Sequence, residues 1–107
     1  MASILTTAQT AYDTGEYDRA LQLLLTLAED GNAEAQCLVG SIYHLGLGST
    51  EPNEPEAEKW YTLASDRGHG LASNNLATLI KSDDRSRANA LYQLAKVQGF
   101  EHAPSSF

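Results

Sequence analysis

The sequence predicts an all-α protein, an α/α superhelix (solenoid) of three helix-turn-helix repeats with about six helices. Two observations support this prediction. Apolar residues recur at spacings of three, four and seven, which is the period of one face of an amphipathic helix, and the whole pattern repeats along the chain. No run of residues shows the alternation that is typical of a half-buried strand, and β-branched residues are scattered.

The second helix of each repeat is marked by an alanine and by a glycine eleven residues later. The pairs are Ala20 and Gly31, Ala57 and Gly68, and Ala88 and Gly99. Apolar residues between them coincide at three positions: Leu23, Trp60 and Leu91; Leu24, Tyr61 and Tyr92; and Leu27, Ala64 and Ala95. Because glycine adopts the left-handed conformation that favours a helix C-terminus, each glycine is predicted to end a helix. The aromatic members of the set are predicted to pack between helix pairs.

The first helix of each repeat precedes these segments. In the middle repeat its apolar positions are Ala35, Leu38, Val39, Ile42 and Tyr43, and 37 residues later stand Ala72, Asn75, Leu76, Leu79 and Ile80. The first repeat has a shorter version, with Ala8, Ala11 and Tyr12, closed by Gly15. We therefore predict a single domain over 1–107, with units at about 3–31, 32–68 and 69–99 and a short C-terminal tail at 100–107.

The connections inside the repeats differ in length. The loop at 46–55 is six residues longer than its counterparts and is rich in glycine and proline. We expect it to be a solvated insertion with no core contact beyond Leu47. In the third repeat, either Ser82 or Asp83 is predicted to cap the last helix, and His69 is expected to serve in a cap or turn at the start of its helix.

Charge and cysteine content limit the classes of partner. The chain has a formal net charge of −7, and ten of its fourteen acidic residues lie in 1–59, so a nucleic acid backbone or an anionic membrane would be repelled. A single cysteine cannot form an intramolecular disulfide, and no apolar stretch approaches the roughly 20 residues that span a bilayer. The chain start also lacks the pattern of a secretory signal. These features predict a cytoplasmic protein that binds neither nucleic acid nor membrane.

Residues able to carry catalysis are not arranged for it. Cys37 lies in a predicted helix with no basic neighbour to lower its pKa. The histidines His44, His69 and His102 lack the spacing of metal ligands. Gly46-x-Gly48 lacks the third glycine of a dinucleotide-binding motif. We expect no catalytic residue, no cofactor and no metal. We therefore predict that the chain is not an enzyme.

One set of residues in the middle repeat carries a family resemblance. It comprises Ala35-Gln36, Gly40, Tyr43, Gly46-x-Gly48, Ala57-x-x-Trp60-Tyr61 and Gly68-His69. This set resembles the Sel-one-like repeat, a helix-pair repeat related to the tetratricopeptide repeat. The first repeat, with Gly15-x-Tyr17-x-x-Ala20, is closer to a tetratricopeptide unit, and the third resembles a degenerate copy. The resemblance implies a right-handed solenoid that acts as an adaptor or scaffold for other proteins, without catalysis.

The resemblance also implies where a partner binds, since the first helices of related repeats line the concave side. The polar or amphipathic residues of these helices, with the nearby acids, form the candidate partner-binding set: Gln9, Tyr12, Asp13, Glu34, Gln36, Tyr43, His44, Asn74 and Thr78. The expected partner is a protein or peptide, and the acidic first half favours a basic one. An acidic immunity or inhibitor protein that neutralises a basic toxin or effector is the alternative. Monomer and weak homodimer both remain open.

Overall fold

A computed structural model describes residues 3–100 of the chain, and within this range every regular element is an α-helix. The six helices are α1 (Ile4–Asp13), α2 (Tyr17–Glu29), α3 (Ala33–Leu45), α4 (Glu54–Asp66), α5 (Gly70–Ile80) and α6 (Arg85–Val97). The all-α prediction, with six helices in three pairs, is confirmed. We refer to α1 and α2 as unit one, to α3 and α4 as unit two, and to α5 and α6 as unit three.

Each helix packs mainly on its neighbours along the chain, and α3 and α4 pack together most extensively. The additional contact between α3 and α5 joins the first helices of adjacent units. This nearest-neighbour pattern is that of a helical-repeat solenoid. Among residues 3–100, no helix combines the length and the apolar character that are needed to cross a membrane.

Side chains accept hydrogen bonds at the start of five of the six helices, which satisfies backbone N–H groups that have no partner inside the helix. The capping residues are Ser3, Asn32, Asn53, His69 and Asp84. The predicted role of His69 is confirmed, since its Nδ1 accepts from the N–H of Ala72 at 3.2 Å. The prediction of Ser82 or Asp83 as the cap of α6 is wrong, because the chain makes a further turn at this point. The N–H groups of Asp83 and Asp84 both bond to the carbonyl of Ile80, which leaves Asp84 at the cap.

Glycines end three helices as predicted. Gly31, Gly68 and Gly99 follow α2, α4 and α6 with φ angles of 97°, 87° and 98°, a region that L-residues with a side chain rarely adopt. The alanines that open the repeated segments, Ala20, Ala57 and Ala88, are fully buried. Small residues at these points let the helices of a pair approach closely.

Two apolar cores lie along the solenoid. The first core is built from α1, α2 and α3 together with Trp60 of α4, and the second from α3, α4, α5 and α6. Trp60, Tyr61 and Tyr92 are all buried, as core positions require, and Trp60 lies in the core that unit one shares with α3. Trp60 faces the first core and its neighbour Tyr61 faces the second.

A tyrosine of the second helix bonds to a hydroxyl of the first helix in two of the units. Tyr61 donates to Ser41 Oγ at 3.2 Å, and the hydroxyls of Tyr92 and Thr78 are 3.0 Å apart. Both pairs occupy the same repeat positions, since Thr78 stands 37 residues after Ser41. The bond fixes the rotation of one helix against the other within each pair.

The long loop of unit two is attached to unit one, which the sequence did not indicate. Leu47 packs against the first core, as predicted. Beyond it, Ser49 donates to the carboxylate of Asp18 from its N–H at 2.8 Å and from its hydroxyl at 2.7 Å. These bonds lower the pKa of Asp18. The loop is therefore exposed to solvent but held against the start of α2.

Candidate partner-binding surface

A cleft of ≈ 230 Å³ lies between the first helices of units one and two, and it is lined by Gln9, Tyr12, Asp13, Glu34 and Leu38. Residues three and four apart share a helix face, which explains why α1 presents three of these side chains and α3 presents two. Four of the five belong to the predicted partner-binding set. We call this cleft the α1–α3 cleft.

Tyr12 forms the aromatic wall of the α1–α3 cleft. Its ring is half-buried and meets the ring of Tyr17 edge to face, with centroids 5.4 Å apart. Burial raises the pKa of the Tyr12 hydroxyl, and a hydrogen bond with Ser41 partly opposes this shift. The ring is thus supported from behind and needs little reordering to receive a ligand, which favours a role as an anchor.

Glu34 connects the cleft to unit three. Its Oε2 lies 2.7 Å from Nε2 of His69, and the Glu34 side chain is 40% exposed. The imidazole of His69 therefore accepts at Nδ1 to cap α5 and donates at Nε2 to Glu34, which corresponds to the neutral tautomer. Asp13 is exposed on the opposite side of the cleft. Two carboxylates from different helices thus flank an aromatic and aliphatic wall.

Gln36 does not belong to this surface, although the sequence placed it in the candidate set. Gln36 is only 3% exposed, and its Nε2 donates to the carbonyl of Ala28 at 3.0 Å. In unit three the same repeat position holds Ser73, whose hydroxyl lies 2.6 Å from that of Ser65. The position serves to join adjacent units through polar contacts, so Gln36 is not accessible to a partner.

Tyr43 and His44, at the end of α3, lie outside the α1–α3 cleft. The Tyr43 side chain is half-buried and packs against both cores. His44 contacts the ring of Tyr61 edge to face, and its Nδ1 lies 3.2 Å from the Tyr61 hydroxyl. Since Tyr61 donates its proton to Ser41, His44 donates at Nδ1 to Tyr61. Both residues have structural partners and retain only part of their surface for a ligand.

Asn74 and Thr78 lie on α5. The hydroxyl of Thr78 bonds to Tyr92 and to the carbonyl of Asn74. The amide oxygen of Asn74 is shielded from solvent and has no hydrogen-bond partner within residues 3–100. These two residues are not among those that line the α1–α3 cleft.

Leu38 is the residue of the cleft that the candidate set omitted. Its place in the apolar pattern of α3 indicated a core position, and it does pack partly against the first core. Its i+4 relation to Glu34 is the signal that could have identified it, because a residue at that spacing continues the same helix face.

The groups considered for catalysis or metal binding have other surroundings. Cys37 is 1% exposed, and burial raises the pKa of its thiol to about 12. Among residues 3–100 no three His, Cys, Asp or Glu side chains gather in a way that could hold a metal ion. His102 lies outside the residues that the structure describes.

Comparison with known families gives a match in the middle of the chain. Residues 33–69 match the model of the family described as Sel1 repeat. The match covers unit two with its long loop and continues to the cap of α5. No curated protein and no solved structure shows significant similarity to the chain.

Proposed function

This chain is a Sel1-like repeat protein, and we propose that it binds a basic or amphipathic segment of another protein in the α1–α3 cleft. Sel1 repeats generally serve as protein–protein interaction modules, and proteins built from them are typically non-catalytic. The three units would act as one domain in this role, with no cofactor. We further propose a cytoplasmic location, which suits the single unpaired thiol of Cys37.

The composition of the cleft is the observation that carries this proposal. Asp13 and Glu34 place a carboxylate on each side of a wall formed by Tyr12 and Leu38. A lysine or arginine side chain has an aliphatic stem and a cationic head, so its stem fits the wall while its head approaches the acids. The cleft thus complements an amphipathic basic segment in both shape and charge.

The two kinds of residue are expected to act on different rates. Exposed carboxylates attract a basic partner over distance and mainly increase the association rate. A pre-ordered aromatic ring such as that of Tyr12 holds the bound partner and mainly limits the dissociation rate. This separation gives the test.

The partner is first captured from cells on the immobilised full chain and identified by mass spectrometry, and its binding is then measured by stopped flow. Asp13→Lys should lower the association rate about two- to tenfold at low salt and reduce its salt dependence. Tyr12→Ala should raise the dissociation rate about tenfold, and Tyr43→Ala tests whether a second ring contributes. Asp30→Lys is the matched control, since Asp30 is an exposed acid at the end of α2 outside the cleft.

One result would contradict the proposal. If variants at Asp13 and Tyr12 leave both rates unchanged while substitutions at Arg85 or Arg87 abolish binding, the partner is acidic and docks near α6. Circular dichroism of each variant confirms that the helices remain folded.

The net charge of −7 also supports the second candidate, an acidic inhibitor of a basic toxin or effector. An inhibitor should form a complex with a dissociation constant near or below about 1 nM that weakens steeply with salt, whereas an adaptor for short segments should bind near 1 μM. The salt series of the same stopped-flow experiment separates the two.

A further inference from the structure

A second cleft, of ≈ 300 Å³, lies between the start of α4 and the end of α5. It shares no lining residue with the α1–α3 cleft. Its lining residues are Glu54, Pro55, Glu58, Leu79, Ile80 and Asp83. Leu79 and Ile80 form an apolar floor, while three carboxylates surround it. We call this the α4–α5 cleft.

The same place one repeat earlier, between α2 and α3, is filled by the chain itself. Leu47 follows α3, donates its N–H to the carbonyl of Ile42 at 3.1 Å and packs against the first core. Gly48 then lies against the start of α2, and Ser49 makes its two hydrogen bonds to Asp18. An apolar side chain followed by backbone and hydroxyl donors is therefore the segment that fits such a cleft.

Unit three lacks this filling segment because its loop is six residues shorter. The repeat offset of 37 residues pairs Ile42 with Leu79 and Tyr43 with Ile80. Ile80 is buried although Tyr43 is only partly buried, so the missing cover is seen at Leu79. Ile42 is fully buried, whereas Leu79 is only partly buried. The α4–α5 cleft is thus the uncovered counterpart of a cleft that the chain covers elsewhere.

The charge of the uncovered cleft differs from that of its counterpart. The α4–α5 cleft has Glu54, Glu58 and Asp83 at the repeat positions that hold Tyr17, Leu21 and Gly46 one repeat earlier. Three acids therefore replace neutral residues, and no basic residue is among the lining side chains. Arg87 reaches one of these acids, Glu58, at 3.7 Å with both side chains about half exposed. Such an exposed pair is weak and is readily exchanged for another cation.

From these observations we propose that the α4–α5 cleft is a second docking site, independent of the α1–α3 cleft, for an extended segment of a partner protein. The segment carries an apolar residue that covers Leu79 and Ile80, with a basic residue on each side that approaches the three carboxylates. It takes the place that residues 47–49 hold one repeat earlier.

The test uses the full chain labelled with ¹⁵N and synthetic pentapeptides observed by NMR. The probe has the sequence lysine–leucine–glycine–serine–lysine. One control peptide has glutamate in place of both lysines, and another has alanine in place of leucine. The probe should shift the amides of Leu79, Ile80 and Asp83 in a saturable manner below about 5 mM, since contacts of this size support only weak affinity. The glutamate peptide should shift none of these amides, and the alanine peptide should bind severalfold more weakly.

Variants of the chain locate the site. Glu54→Gln and Glu58→Gln should each weaken the probe about two- to fivefold, as expected for exposed charge pairs. Glu51→Gln is the matched control, because Glu51 is an exposed acid of the neighbouring loop that does not line the cleft. A further variant inserts the six residues of 47–52 between Asp83 and Asp84 and replaces Pro55 by aspartate. It should fill the cleft, abolish the shifts and raise the melting temperature.

Three outcomes would overturn the proposal. The first is the absence of shifts at Leu79 and Ile80 up to about 5 mM probe, and the second is probe binding to the α1–α3 cleft alone, which would leave the proposed function intact. The third is a concentration-dependent shift of the same amides without peptide, which would assign the cleft to a second copy of the chain. Failure of the insertion variant to fold does not decide the question, because the glutamine variants retain the native backbone and report on the same site.

Discussion

Replacing Gly40 by alanine tests the close contact between α3 and α4. A Cβ atom at this position would lie 2.6 Å from Cδ1 and 2.7 Å from Cε1 of Tyr61. Carbon atoms in contact prefer separations of about 3.5 to 4 Å, so the ring or the helix must shift. The ring has little freedom to move, since Tyr61 is 1% exposed and its hydroxyl is bonded to Ser41.

Two effects of opposite sign decide the magnitude. Alanine is a better helix former than glycine by about 1 kcal/mol, which alone would stabilise α3. Overpacking of a close-packed core typically costs about 1 to 3 kcal/mol, and a gap short by almost 1 Å against a fixed ring places this site in the upper half of that range. We expect Gly40→Ala to lower the free energy of unfolding by about 1 to 2 kcal/mol. For a chain of this size, each kcal/mol lowers the melting temperature by about 4 to 8 °C.

The assay is thermal and urea unfolding followed by circular dichroism, for Gly40→Ala in two backgrounds. The second background is Tyr61→Leu, because leucine occupies the equivalent position in unit one, at Leu24. Without the ring, Gly40→Ala should be neutral or stabilising through helix propensity alone. An equal cost in both backgrounds, or a gain in stability in the parent protein, would refute the assignment of the cost to the Tyr61 ring.

Three further predictions follow from the repeat positions. Ala57→Leu and Ala88→Leu should each lower the free energy of unfolding by about 1 to 3 kcal/mol, since both alanines are fully buried, and unchanged melting curves would show that the repeat register is wrong. His69→Ala should cost about 1 kcal/mol through loss of the α5 cap, and His69→Asn should recover much of this loss because Asn32 caps α3 in the same way; equal melting temperatures for the two variants would argue against a capping role. The raised pKa of Cys37, about 12, should keep the thiol unreactive toward a disulfide reagent at pH 8 until the protein unfolds, so labelling of the native protein within seconds would contradict its burial.

The periodicity of the sequence predicts the six helices because the same apolar positions recur in each repeat. The glycines that end α2, α4 and α6, and the alanines at the helix crossings, were each identified from a constant spacing. The cap of α6 was misplaced because Ser82, Asp83 and Asp84 are all able to cap a helix. The choice among them depends on where the turn after Ile80 closes, which a hydrogen bond in three dimensions decides.

The candidate site was less predictable because it depends on contacts between units. Gln36 is polar and was assigned to the surface, yet its amide is used to join α2 and α3. The bonds from Ser49 to Asp18 connect residues 31 positions apart, and no local sequence pattern predicts a hydrogen bond over that separation. Gln9, Tyr12 and Asp13 line one cleft together because they share one turn of a helix.

The division of neighbouring residues between two cores has a consequence for how the molecule opens. Trp60 belongs to the first core and Tyr61 to the second, so α4 contributes side chains to both cores of the solenoid. Unit one can separate and still leave the second core closed, and unit three can separate and leave the first core closed. Opening of either end is then a local event, while loss of unit two breaks both cores. Amide protons of α3 and α4 should exchange with solvent last. The end helices α1 and α6 should unfold locally and independently of each other.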